Sequence, residues 1–434
     1  MYILNKAKLA LDSASGDKID VIVEKNVRSL TRYANSQIHQ NVKKTDGSVR
    51  VRVIRNGKTG VANTNSFDDE DIKACAKRAG EIAELSEKNP VDYELPSPVE
   101  YEEIPSIDSE TANLSPNDRA DMVARIVGVA DKDNLKIAGA VSNEVASFAV
   151  VNNNGVEVEQ SYTTADVSVT AMDDDSSGQA ERQSPCISDI NPVEVAQEAC
   201  RRAVLGRNPK TIEPGEYEVI MLPYAASEML RYMYYTGASA VSADAGTSWM
   251  DKSLDKKVLS DKLTMVDDPF NPKLAQSKTD AEGFPKKKLT LIDSGKPKNI
   301  LFNSYYSKKM NRPNTGHATG GYGPFPLHIV MTPGDKSVDE MISTVKKGVL
   351  ISRFWYTNIM DPMTVQLTTM TRDGLFLIED GKITSGLKNM RVTDKMLKVF
   401  SGIKSVGNEQ IQTGGMLTPA YHLDGLNFSG KTKY

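Results

Sequence analysis

The run Ser48 to Ile54 (SVRVRVI) alternates apolar and polar side chains at every step, and Asn56-Gly57 follows one residue later. A period of two buries one face of a strand and wets the other. Asn-Gly readily adopts the two positive φ values of a tight hairpin turn. The chain is thereby committed to an antiparallel hairpin returning through Lys58 to Thr64. Ile19 to Lys25 (IDVIVEK) carries the same alternation. The period then changes to that of a helix, since Ile72, Cys75, Ala76, Ala79, Ile82 and Ala83 fall on one stripe. Asp68 is placed as its N-cap, with Phe67 and Ile72 as a hydrophobic staple. Cys75 is expected to be a small core residue.

The plan recurs further on. Five prolines between residues 90 and 116 (Pro90, Pro96, Pro98, Pro105, Pro116) mark an extended linker, because proline lacks a backbone donor and disfavours helix before it. Ser115 is placed as an N-cap with Pro116 at the first helical position. Lys136 to Asn152 and Val156 to Met172 read as strands around Asn153-Asn154-Gly155. Asn191-Pro192 opens a helix with Val195, Ala196, Ala199, Cys200 and Ala203 on one face, stopped near Gly206. Strands followed by an amphipathic helix, twice, point towards duplication without establishing it.

After Pro209 the pattern is mixed. Glu216 to Leu222 reads as a strand and Ala225 to Tyr235 as a helix. Ser337-x-x-Glu340 is a capping box for a helix running to Lys347 with Gly348 as its stop. Val365 to Arg372 and Leu375 to Glu379 read as strands, and Asp380-Gly381 as a hairpin turn. Thr393 is placed as the cap of a short helix ending at Gly402. Without regular βαβ alternation the class is α+β. The expected division is an N-terminal strand-helix domain over 1–89, a linker and central α+β segment over 90–208, and a larger β-rich domain over 209–434.

Lys and Arg number 53 against 57 Asp and Glu among 434 residues, a net charge of −4. That balance lacks the basic excess of a dedicated nucleic-acid binder. No apolar run approaches the ~20 residues of a membrane-spanning helix. Met1 to Gly16 carries Lys6, Lys8 and Asp12 and lacks the apolar core of a secretory leader. Three cysteines (Cys75, Cys186, Cys200) supply no disulfide framework, so the cytoplasm is the expected location. Of the four histidines, His39, His317, His328 and His422, no two stand three or four apart, which excludes a helical histidine pair for zinc.

The most unusual local composition is residues 314–325 (NTGHATGGYGPF), where glycines permit close approach of backbone to a ligand. It contains neither of the Gly-rich nucleotide signatures. The plain reading, an irregular loop with His317 as a hydrogen-bonding residue, carries more weight than a ligand site. Lys286-Lys287-Lys288 reads as a solvated loop, and Arg372-Asp373 before Gly374 as a turn with a surface ion pair.

Several segments together resemble one known family. They are Arg32-Tyr-Ala-Asn-Ser-Gln-Ile-His39, Asp46-Gly-Ser-Val-Arg-Val-Arg-Val-Ile-x-x-Gly-Lys-Thr-Gly60, Thr264-Met-Val-Asp-Asp-Pro269, Asp280-Ala-Glu-Gly283, Ser352-Arg-Phe-Trp-Tyr-Thr-Asn358, Met370-Thr-Arg-Asp-Gly-Leu-Phe-Leu-Ile-Glu-Asp-Gly381 and Leu426-Asn-Phe-Ser-Gly430. Their order and spacing are similar to the TldD/PmbA family. The resemblance implies an intracellular peptidase system in which a TldD chain and a TldE (PmbA) chain enclose a cavity for unstructured peptides. In TldD an HExxxH helix and a later cysteine hold zinc, and the glutamate serves as general base.

This sequence departs from that pattern. Arg231-Tyr-Met-Tyr-Tyr-Thr236 aligns with HExxxH, so Arg231 and Thr236 stand for the histidines and Tyr232 for the glutamate. The cysteine loop is shortened around Asn408 to Gly415. A guanidinium stays charged and repels a divalent cation. The implied role is a TldE/PmbA-like, non-catalytic subunit with no catalytic residue and no metal of its own. Its zinc would reside in a TldD-like partner, or the chain would pair with itself. Arg231, Thr315, Gly316 and His317 are the candidates for lining the cavity or binding extended peptide. Two alternatives stand beside it. One is an autonomous peptidase with an atypical site built from His317, His328 or His422. The other is a regulator of a topoisomerase or nucleic acid, since the family has been described as a modulator of DNA gyrase; the acidic balance disfavours direct DNA contact, and no membrane association is expected.

Overall fold

The computed structural model describes residues 2–432 apart from Ser106 and Tyr322, and among them the fold is α+β. The N-terminal half opens with α1 (Tyr2–Ser13), β1 (Lys18–Ala34), β2 (Gln37–Arg55), β3 (Lys58–Thr64) and α2 (Asp69–Leu85). After the proline-rich crossing and one turn of helix, α3 (Ser109–Ala112), the order repeats as α4 (Pro116–Ala130), β4 (Lys136–Asn152), β5 (Glu157–Met172), β6 (Ser177–Ser184) and α5 (Pro192–Leu205). The strands share one sheet in the order β3-β2-β1-β4-β5-β6. Two copies of helix–three strands–helix thus join back to back through the antiparallel β1–β4 pair, with Val21 opposite Val151.

One face of this sheet is apolar and covered by the helices. Val21, Val23, Val49, Val51 and Val53 meet Ile3, Ala7 and Ala10 of α1 and Ile72, Ala76 and Ala79 of α2. Val167, Val169 and Ala171 meet Val195, Ala196, Ala199 and Cys200 of α5 in the second copy. Cys75 and Cys200 are buried, as expected of small core residues. Ile82 is exposed, because at 100° per residue it falls at the margin of the stripe centred on Ala79. The expected strands at 19–25 and 48–54 are only the buried ends of β1 and β2. Residues 37–46 are exposed, so they carry no alternation, and the ribbon turns at Asn35 (φ 50°) and Ser36 (φ 61°).

The C-terminal half comprises β7 (Gly215–Met221), α6 (Pro223–Gly237), α7 (Ala240–Asp244), α8 (Trp249–Lys252), β8 (Met265–Asp267), β9 (Leu289–Asp293), β10 (Lys296–Pro297), α9 (Ser304–Met310), β11 (Ile329–Met331), α10 (Val338–Thr344), β12 (Lys347–Asp361), β13 (Gln366–Glu379), β14 (Lys382–Gly386), β15 (Met390–Lys395), α11 (Met396–Val399), β16 (Ile403–Thr413) and β17 (Met416–Lys431). Pairing runs β7–β12–β13–β15–β17 and returns from β17 to β7, so these five strands close on themselves. Closure removes free edges. The enclosed core holds Met221, Ile351, Phe354, Leu375, Val392, Tyr421 and Leu423, and Met229, Leu230 and Met233 of α6 join it.

Three local expectations are corrected. Helix α10 keeps its Ser337–Glu340 capping box but ends at Thr344, because Lys347 and Gly348 already pair with Glu379 and Ile378 in the sheet. Thr393 lies within β15, and the short helix begins at Met396. Arg372-Asp373 is no surface turn. β13 runs through it as a bulge, and Asp373 is buried, accepting a 2.7 Å hydrogen bond from Ser177 and facing Arg353 at 3.4 Å.

The two copies share a close contact of strand on helix. A Cβ on Gly60 would lie 2.0 Å from the Ala79 carbonyl oxygen, and one on Gly178 2.2 Å from that of Ala199. Gly60→Val or Gly178→Val is expected to lower stability to urea by about 1–3 kcal/mol through overpacking. An unchanged midpoint in either variant would contradict this packing.

Candidate functional site

His317 and Ala318 of the glycine-rich stretch are held by two buried acids, Asp267 and Asp280. Asp267, at the end of β8, is fully buried. Its Oδ1 accepts the backbone N–H groups of Leu327 (3.1 Å) and His328 (2.9 Å), and its Oδ2 meets His317 Nε2 at 3.0 Å. Lys286 Nζ lies 3.5 Å from the same oxygen. Burial alone would raise the Asp267 carboxyl, but Lys286 and His317 hold it well below the usual carboxylate range. Asp280 accepts N–H groups from Glu282, Phe284 and Ala318. Burial and the Glu282 charge nevertheless push it up to about 7.

Thr315, Gly316 and His317 therefore stand behind a wall rather than in an open cavity. All three are buried, the His317 ring completely. Thr315 Oγ1 accepts the Phe302 N–H at 2.8 Å, and His317 Nδ1 meets Thr315 Oγ1 at 3.0 Å. His317 is the hydrogen-bonding loop residue of the plain reading. The open part of the loop is its continuation, Ala318 and Thr319, which line two cavities of about 440 and 430 Å³ between the loop and the polar face of the N-terminal sheet. The solvated lysine loop is likewise corrected. Lys288 is exposed and pairs with Asp268, whereas Lys286 points inward with its side chain 2% exposed. A run of three lysines carried no signal that one would turn in; the buried acid opposite it, Asp267, supplies the reason.

Helix α6 starts at Pro223, which needs no partner for its missing N–H. Its outward face carries Glu228, Arg231, Tyr232 and Tyr235. Arg231 lines a third, smaller cavity of about 310 Å³ together with Gln179, Glu181, Glu228, Arg353 and Thr413. Its Nη2 reaches the carbonyl oxygens of Thr413 (3.4 Å) and Gly414 (3.5 Å) in the β16–β17 turn. The Tyr232 hydroxyl donates to the Thr357 carbonyl at 2.9 Å, and the Thr236 hydroxyl to the Tyr232 carbonyl within its own helix at 2.8 Å.

These three positions do not fit zinc. A guanidinium has no free lone pair and a permanent charge, and both hydroxyls are engaged with backbone carbonyls. The helix and turn are in place to face one another, but an arginine–carbonyl contact joins them. The other histidines are placed apart from this helix face: His328 is buried near Lys286, and His422 Nε2 meets Glu218 at 2.6 Å.

The sheet side of the small cavity was missed by sequence reasoning, since β6 (SGQAERQS) has Ala180 as its one apolar side chain. Glu181 of β6 neighbours Asp166 of β5, and burial together with the Glu181 charge pushes Asp166 up to about 7. A carboxyl raised on folding holds its proton longer in the native state, so its contribution to stability falls as pH rises from about 4 to 7. Asp166→Asn is expected to gain stability relative to the parent by about 1–3 kcal/mol between pH 5 and pH 8 in urea titrations. A difference that does not change with pH would contradict this assignment.

Comparison with known proteins agrees with the geometry. Residues 19–83 match PmbA/TldA metallopeptidase domain 1, residues 94–207 the PmbA/TldA metallopeptidase central domain, and residues 214–430 the PmbA/TldA metallopeptidase C-terminal domain. The uncharacterized protein MJ0231 of Methanocaldococcus jannaschii is 26% identical over 279 residues, which span 64% of this chain and 65% of that protein. The Metalloprotease TldD homolog of Buchnera aphidicola subsp. Acyrthosiphon pisum is 22% identical over 433 residues, 92% of this chain and 86% of the homolog. The crystal structure of TldE from Thermococcus kodakarensis superposes with a TM-score of 0.89 at 18% identity, covering 99% of this chain and 100% of that one. Three consecutive domain matches cover most of the chain, and this chain belongs to the PmbA/TldD metallopeptidase family.

Proposed function

We propose that this chain is a non-catalytic, TldE/PmbA-like subunit that completes a peptide-enclosing chamber with a zinc-bearing, TldD-like partner. The observation that carries the reading is Arg231. On the helix face where the family resemblance implies a zinc ligand, its guanidinium instead bonds the carbonyls of Thr413 and Gly414. A metal-activated water needs neutral imidazole, thiolate or carboxylate ligands, and positions 231, 232 and 236 offer none.

Binding is the task the rest of the geometry suits. Ala318 and Thr319 and the polar face of the N-terminal sheet flank two cavities, and pairing to backbone would hold an extended peptide there while reading little of its side-chain identity. Against an autonomous peptidase stands the state of its histidines. His317 is enclosed, and burial and the Lys286 charge push His328 down to about 4 and His317 below its ordinary value. The partner, its zinc and a cytoplasmic setting belong to the same proposal. No helix among the described residues is long and apolar enough to cross a membrane.

The test is reconstitution. The purified full chain is expected to leave an unstructured peptide intact, and chelator-sensitive cleavage is expected on adding a family member that bears HExxxH. Cleavage by this chain alone, abolished by chelator and unaffected by removing any co-purifying protein, would overturn the proposal.

A further inference from the structure

Large apolar side chains left in water gather on β12. Trp355 is 49% exposed, Tyr356 74% and Met360 58%, and Tyr235 is exposed on the outward face of α6 beside them. A single exposed apolar residue is ordinary, whereas a contiguous group marks an interaction surface. The other tryptophan of the chain, Trp249, is buried.

A backbone irregularity sets the aromatic pair in place. Trp355 pairs with Met370 and Asn358 with Thr368, so Tyr356 and Thr357 together oppose Thr369 in a bulge. Tyr356 takes φ 60°, a left-handed conformation that is costly for a bulky side chain. Helix α6 fixes it. The Thr357 carbonyl accepts the Tyr232 hydroxyl at 2.9 Å, and Thr357 Oγ1 meets Glu228 and, at 2.7 Å, Thr369 Oγ1. Strain persists where the surroundings impose it, and it concentrates at functional sites. Its product here is two outward rings with centroids 5.6 Å apart. Arg353 and Phe354, the two residues before Trp355, line the Arg231 cavity.

The strands beside this pair are basic. Directly opposed residues share one face of a sheet. Trp355, Met370 and Arg391 form one row across β12, β13 and β15, with Arg372 and Lys395 on the same face to either side. All three cations are exposed. The Arg372 guanidinium lies 4.4 Å from the centre of the Trp355 ring and 3.8 Å from Asp373, and Arg391 reaches the Thr368 hydroxyl at 3.4 Å. Trp, Tyr, Met and Arg are the side chains enriched at the centres of protein interfaces. A two-fold contact centred on this face would set its cations against themselves, so a second copy of the chain does not fit it.

We propose that this face docks a different chain, one presenting an apolar hollow bordered by carboxylates. Trp355 and Tyr356 enter the hollow, and Arg372, Arg391 and Lys395 meet the border. The inference rests on the reading of this chain as one side of a peptide chamber. The occupant is then the partner that closes the chamber, because the face adjoins the rim of the Arg231 cavity.

The experiment places fluorotryptophan in the full chain, which gives one fluorine resonance for each tryptophan, assigned through Trp355→Phe. The family member bearing HExxxH is then added. The Trp355 resonance is expected to shift and lose its response to heavy water, while that of Trp249 stays. Trp355→Ala and Arg372→Glu are each expected to weaken association at least about tenfold. Arg391→Glu, remote from the bulge, repeats the charge test if either variant folds poorly. A Trp355 shift on concentrating the chain alone would assign the face to a second copy, and one on adding oligothymidylate would assign it to nucleic acid; either overturns the proposal. Cleavage on mixing with Trp355 unmoved would overturn this docking face and leave the chamber reading intact. A shifted Trp355 without cleavage would keep the face and contradict that reading. Neither shift nor cleavage would overturn both.

Discussion

The buried carboxylate of Asp267 is the contact on which the site depends. It gathers two backbone N–H groups, one imidazole and one ammonium, from segments 19 to 61 residues away in sequence. Taking such charges from water is expensive, and a buried ion pair contributes little net stability over an apolar substitute. What it supplies is geometry. With Asp267 in place, the His317 ring and the backbone N–H groups of Leu327 and His328 find a buried acceptor where the chain is irregular.

The second constraint is the face of α6. The same scaffold that could present ligands across to the β16–β17 turn here presents Arg231 to that turn's carbonyls. A Cβ at Gly414 would lie 2.6 Å from Arg231 Nη2, so the turn is shaped closely to the guanidinium. Family membership and an arginine at this position are therefore compatible. On the proposed reading the fold would supply the walls of a chamber, and the chemistry would depend on which side chains occupy one helical turn.

Much of the fold was legible in the sequence because periodicity reports burial on one face. Hairpins at Asn56-Gly57 and Asp380-Gly381, the N-cap at Ser115, the capping box at Ser337, and the stripes of α2 and α5 were all readable locally. Where both faces of a strand meet water, as at residues 37–46, or where a strand has a single small apolar side chain, as β6 has Ala180, no period exists to read. α1 was missed because its buried side chains are Ile3 and two alanines, a thin signal. Arg231 was singled out from alignment with a motif. Lys286 could not be, since its inward turn is decided by a carboxylate 19 residues earlier that sequence spacing does not connect to it.

A polypeptide that, as proposed, holds peptide without the means to hydrolyse it has no tight zinc site, and zinc affinity measures that most directly. Titration of the purified chain against a competing chelator should reveal no site tighter than about 1 µM, with Arg231→Ala behaving as the parent does. One equivalent of zinc bound well below that concentration, and released by substitution of Tyr232 or Thr236, would contradict it.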